Sequence, residues 1–96
     1  MVKGKYVIND TFKITGRGLV LAGFINEGSV TVGDYIEFTA FEKPRRKRIT
    51  GVEGITISNP SRANTGLLID CEDDSEMDEL RLWRPKGIVG TLFTSH

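Results

Sequence analysis

Ninety-six residues make one domain, spanning 1–96, long enough to bury roughly 60 to 65% of its unfolded surface and to fold without disulfides or a structural metal. Thirteen Lys and Arg balance thirteen Asp and Glu, so no overall positive field marks a nucleic-acid binder, no DNA partner is expected, and an RNA role must rest on a local patch. Cys71 is the only cysteine, which excludes an intramolecular disulfide, and one His with one Cys cannot close a zinc site, so neither metal nor cofactor is expected.

In chain order, Tyr6, Ile8, Phe12 and Ile14 hold even positions against Val7, Asn9, Thr11 and Lys13 at odd ones, which predicts a first strand with a bulge at Asp10. Gly16 and Gly18 bracket Arg17, so the backbone there is free to take positive φ and Arg17 to turn outward between two extended segments. Leu19 to Ile25 is an apolar second strand ending at Glu27-Gly28. It is too short to span a membrane, and a cytoplasmic setting is expected.

Val30 and Val32 alternate before the turn signal Gly33-Asp34, and Tyr35 to Phe41 follow as a third strand. Pro44 has no amide hydrogen to give to a central ladder, so it is expected to separate that strand from a fourth at about Lys47 to Ile57. Past the loop Asn59-Pro60-Ser61, Thr65 to Asp70 form a fifth strand and residues 72 to 80 one helical turn; Trp83, Pro85 and Gly87 make a connection, and Ile88 to Thr94 a last strand. Short strands punctuated by eleven glycines, with no long helical period, argue for an all-β barrel or sandwich.

Catalytic signals are missing. No G-x-x-x-x-G-K-[ST] loop exists to cradle phosphates, the glycine spacing at 16 to 23 is not a dinucleotide fingerprint, and the only histidine, His96, is terminal, so the chain is expected not to be an enzyme. The acidic run 70 to 79 carries seven acids in ten residues and reads as a solvated surface turn, with an acidic docking surface or an ion site as its functional alternatives. The basic run 43 to 48 reads as an exposed hairpin end that guards a strand edge. Alternatively, it offers Lys43, Arg45, Arg46, Lys47 and Arg48 to phosphates. Trp83 reads as core or rim packing, or as a stacking platform for a base.

ITGRG at 14 to 18, LVLAGFINEGSVTVGD at 19 to 34, GVE at 51 to 53 and NTGLL at 64 to 68 agree in order and spacing with one known pattern. Over roughly residues 5 to 70 the chain resembles the second domain of translational GTPases, above all that of elongation factor Tu. The resemblance implies a closed six- or seven-stranded antiparallel β-barrel of the translation-factor domain 2 type, without the nucleotide-binding domain. It also implies a pocket for the 3′ aminoacyl-adenosine end of tRNA at Ile14, Val20, Glu53 and Leu68, with Arg17 beside it. There, aliphatic side chains would flank an adenine and the carboxylate would accept from an exocyclic amine or a ribose hydroxyl. Thr56 stands where the family has an arginine, which predicts weak affinity.

Two functions follow as expectations. One is a non-catalytic translation-factor-like barrel that binds tRNA or ribosomal RNA, with a GTPase as a possible protein partner and no membrane association. The other is a protein-interaction or structural module that has lost the RNA ligand and docks through its acidic and basic poles.

Overall fold

Alternating apolar side chains build six strands, which are β1 (Val2–Ile14), β2 (Gly18–Gly28), β3 (Tyr35–Ala40), β4 (Lys43–Ile55), β5 (Asn64–Ile69) and β6 (Ile88–Phe93), with one helix, α1 (Asp74–Leu82), before the last. The computed structural model describes residues 2–14, 18–55 and 64–94. All pairings are antiparallel, and the sheet closes on itself in the order β1-β2-β5-β4-β3-β6. The fold is therefore all-β, a closed six-stranded barrel.

The barrel is filled by inward rows from every strand: Tyr6 and Ile8, Leu19 and Leu21, Ile36 and Phe38, Ile49, Leu67 and Ile69, and Leu92. Each fully buried side chain of this size contributes about 1.5 to 3 kcal/mol. The Tyr6 hydroxyl lies within hydrogen-bonding reach of two backbone carbonyls, Leu21 at 3.0 Å and Thr65, and burial pushes its ionisation well above the ordinary tyrosine value.

β1 carries a bulge, one residue before the expected Asp10. Ile8 pairs with Gly23 and Asp10 with Ala22, which leaves Asn9 as the extra residue. The insertion reverses the in-and-out parity of the strand. Tyr6 and Ile8 point inward, but beyond Asn9 it is Thr11 that is buried, while Phe12 is exposed. Tyr6 and Phe12 thus lie on opposite faces, although both hold even positions. Close approach of β1 and β2 beside the bulge requires Gly23, where a Cβ would collide with the backbone carbonyl of Val7.

The fourth strand begins earlier than expected and includes Pro44. Only Phe41 and Glu42 separate β3 from β4, so Ala40↔Lys43 closes the hairpin and Thr39↔Pro44 is the next, non-hydrogen-bonded pair. Over 43–48 the strand pairs with β3 alone, and β5 joins it only from Ile49 onward. Pro44 thus turns its missing N–H toward an unpaired edge, where it costs no ladder bond. Phe41 and Glu42 both take positive φ, 53° and 62°, a conformation that glycine or asparagine adopts more readily.

α1 links the end of β5 to the start of β6 and so crosses one mouth of the barrel. Asp73 caps it, its side chain accepting from the Glu76 N–H at 2.8 Å, and Asp74 and Glu76 in the first turn complement the helix dipole. Leu80 drops into the core, and its carbonyl accepts from the Thr11 hydroxyl at 2.9 Å. Trp83, one residue past the helix, packs in the core and stacks on Phe38 at 5.4 Å with a 17° interplanar angle.

Candidate nucleic-acid interface

Strand alternation divides the basic run. The parity that points Ile49 into the core also turns Arg45 and Lys47 to the inner side, where α1 closes the barrel mouth, and leaves Lys43, Arg46 and Arg48 exposed. The run is thus not one patch: its buried and exposed cations do different work.

The buried half forms an ion cluster with the helix. The Arg45 side chain is 3% exposed; its Nη1 donates to Glu76 Oε2 at 3.2 Å and its Nη2 to Glu79 Oε1 at 2.5 Å and to the Ala40 carbonyl at 3.3 Å. Lys47 Nζ donates to Glu76 Oε1, which also accepts from the Glu72 N–H at 2.8 Å. Burial by itself would raise the Glu76 carboxyl, but the hydrogen bonds from Lys47, the Glu72 amide and Arg45 outweigh it and hold the group below the ordinary carboxylate range. Burial likewise works against the Arg45 cation, and Glu79 and Glu76 more than restore it. Next to the cluster, burial and the Glu76 charge push the Cys71 thiol up to about 11.

Glu76 and Glu79 are three residues apart on the helix and therefore share a face. The acidic run thus remains mostly exposed, but from Asp74 it is helix rather than turn. Part of it is the counter-charge for β4.

The exposed half lies on the outer wall. Arg46 sits 4.9 Å over the Tyr35 ring and 5.6 Å from the Phe93 ring centre, and pairs with Glu37 at 3.4 Å in solvent. Arg48 faces Tyr35 across the β3–β4 ladder. The basic run did not reveal Tyr35 and Phe93 as neighbours, because Tyr35 comes from its pairing partner β3 and Phe93 from β6, one strand further round the barrel.

The other expected residues fall on neighbouring strands. Val20 pairs with Leu68, and Leu68 with Gly51, while Glu53 pairs with Gly66 and Ile14 with Gly18. Val20 and Leu68 lie outside the core cluster that holds Leu19, Leu21, Leu67 and Ile69, so they belong to the outer wall. They are nonetheless 2% and 5% exposed, and so form a floor rather than walls that would sandwich a base. Gly51 keeps that floor flat, since a Cβ there would press on Leu68 Cβ at 3.3 Å. Ile14 and Glu53 are half-buried beside it. Arg17 and Thr56 lie outside the described residues.

β4 joins the two sets. After an irregularity at Thr50, its outward row runs Arg46, Arg48, Gly51, Glu53, cations at one end and a carboxylate at the other. Among the described residues no three His, Cys, Asp or Glu come together as a metal site, and no helix is long and apolar enough to cross a membrane. No protein-family model matches the chain.

Proposed function

We propose that this barrel is a non-catalytic module that binds single-stranded RNA, a tRNA 3′ end or a ribosomal strand, along the outer face of β4. The reading is carried by the outward row Arg46, Arg48, Gly51, Glu53. Arg46, exposed and held over the Tyr35 and Phe93 rings, suits a phosphate beside a base, and Arg48 adds a second exposed guanidinium. Gly51, beside the Leu68 side chain, would let a base face approach the backbone, and the Glu53 carboxylate beyond it would accept from an amine or a 2′-hydroxyl. Arg46 to Glu53 span on the order of 20 Å at the rise of a strand. The resemblance to the second domain of translational GTPases, with a cytoplasmic setting and a GTPase partner, belongs to the same proposal. The alternative, docking through acidic and basic poles, loses part of its basic pole, because Arg45 and Lys47 are paired with Glu76 and Glu79.

The test is an NMR titration with a CCA trinucleotide at low salt, followed by the variant R46E/R48E. Amides at 46 to 53 and 66 to 68 should shift. The variant should flatten the log–log salt dependence by about 1.4, two phosphates at about 0.7 each, and a thermal melt should show it still folded, with a small loss from setting a carboxylate at position 46 opposite Glu37. No shift at low salt would reject RNA binding.

A further inference from the structure

A groove of about 670 Å³ runs between β1 and the end of α1, lined by Asp10, Thr11, Phe12, Lys13, Arg81, Leu82 and Arg84. Its origin lies in two local facts. The bulge at Asn9 turns Phe12 out of the core, leaving it 41% exposed, and the helix ends one residue before Trp83, which leaves Leu82 65% exposed opposite it. Cations gather around this apolar pair. Arg81 and Arg84 are exposed, and neither is ion-paired with a carboxylate among the described residues. Arg84 Nη1 donates to the carbonyls of Arg81 at 3.1 Å and Trp83 at 3.4 Å, which anchors the guanidinium over the helix end. Lys13 contributes less, because it faces Asp78 at 3.8 Å in solvent. Among the described residues Asp10 is the only carboxylate lining the groove, and its Oδ1 accepts from the Thr11 N–H at 2.8 Å.

We infer that this groove is a second binding segment for single-stranded RNA, in which Phe12 stacks a base and Arg81 and Arg84 hold the flanking phosphates. The inference rests on the RNA-binding reading of the outer face and extends it. Phe12 pairs with Val20, Val20 with Leu68 and Leu68 with Gly51, so a row across four strands relates the β4 face to the groove, with Val20 and Leu68 buried between its accessible ends. Three strand spacings make about 14 Å, a distance that one continuous strand bridges. Unpaired cations beside an exposed aromatic ring suit a chain that alternates phosphate and base, since every base has a π-face and every linkage a charge.

Fluorescence anisotropy with a CCA trinucleotide and with the unstructured nonamer UUUUUUCCA separates the two segments. On the unaltered protein the nonamer should bind about tenfold more tightly, with a salt slope steeper by about 1.4 from two added phosphate contacts. R81E/R84E should bring the nonamer to the level of the trinucleotide while leaving the trinucleotide unchanged. Phe12→Ala should weaken the nonamer about fivefold, in the range of one lost base stack, with its salt slope preserved. All three side chains are exposed, so the variants should fold, and circular dichroism melts are the check. Equal affinity for the two oligonucleotides, or a nonamer indifferent to R81E/R84E, would overturn the groove and leave the β4 face standing. No binding of either would overturn both. Displacement of the nonamer by polyglutamate of matched charge, as effectively as by unlabelled nonamer, would assign the groove to acidic peptides instead.

Discussion

Replacing Glu76 by Gln should be among the most damaging conservative changes in this chain. The carboxylate is 12% exposed and serves three donors: Arg45 Nη1 at 3.2 Å, Lys47 Nζ and the Glu72 N–H at 2.8 Å. Glutamine keeps the shape but removes the charge, and it turns an amide donor toward a cation. Lys47, 6% exposed, then has no carboxylate partner, whereas Arg45 retains Glu79 on the half-exposed side. Stranding a buried cation costs about 3 to 5 kcal/mol, and we expect about 3, since Arg45 keeps one partner. For a domain of this size that loss lowers the melting temperature by about 12 to 24 °C. Urea unfolding followed by Trp83 fluorescence and by far-UV circular dichroism measures it, and the fluorescence reports the mouth that α1 closes. Adding Lys47→Met should recover about 1 to 2 kcal/mol, because the stranded ammonium is then gone. A loss from Glu76→Gln below about 1 kcal/mol, the worth of a surface pair, would refute the buried cluster.

Acid should act on the same group. Glu76 has its folded pKa below the ordinary 4.5, so the stability it contributes is complete above that value and is lost as pH falls through the lower folded value; an acid titration of Glu76→Gln should show a shallower decline than the unaltered chain. Phe41→Asn with Glu42→Gly should raise stability by about 1 to 2 kcal/mol in urea, because both residues hold positive φ in a two-residue hairpin turn and Phe41 is 53% exposed, so little packing is lost. Cys71, held at about 11 and half-buried, should be alkylated by iodoacetamide at pH 8 at least about tenfold more slowly than a free cysteine, and Glu76→Gln should speed it.

The barrel was largely legible in the sequence, because period-two alternation and glycine or proline punctuation are local signals. Strand identity came from them for all six strands, and so did the bulge in β1. What alternation does not carry is its own phase across an inserted residue. Tyr6 and Phe12 share a parity in the chain and lose it at Asn9, which is why an apparent core residue ends on the groove wall. Pro44 misled for a related reason. The rule against proline in a sheet concerns residues paired on both sides, and β4 has a neighbour on one side only over 43–48. Which stretches of a strand are doubly paired is set by the stagger of a closed barrel, a non-local property.

The charges needed the same non-local information. Residues 43 to 48 and 70 to 79 are separate blocks of opposite sign, each solvated when considered alone, and equal totals of thirteen say nothing about where they cancel. One inward residue settles the matter. Once Ile49 is assigned to the core, Lys47 and Arg45 must share its side, and a helix across that mouth must supply carboxylates on one face, as Glu76 and Glu79 do three residues apart. The buried part of the cancellation therefore happens at the barrel mouth, where it fastens α1, while on the wall, among the described residues, the basic run keeps only the exposed Arg46–Glu37 pair. The cations left outside, Arg46 and Arg48 on β4 and Arg81 and Arg84 past the bulge, are those whose parity or position on the helix keeps them from that cluster. A neutral chain thereby presents basic groups on its surface, and the proposed RNA binding draws on that partition rather than on net charge.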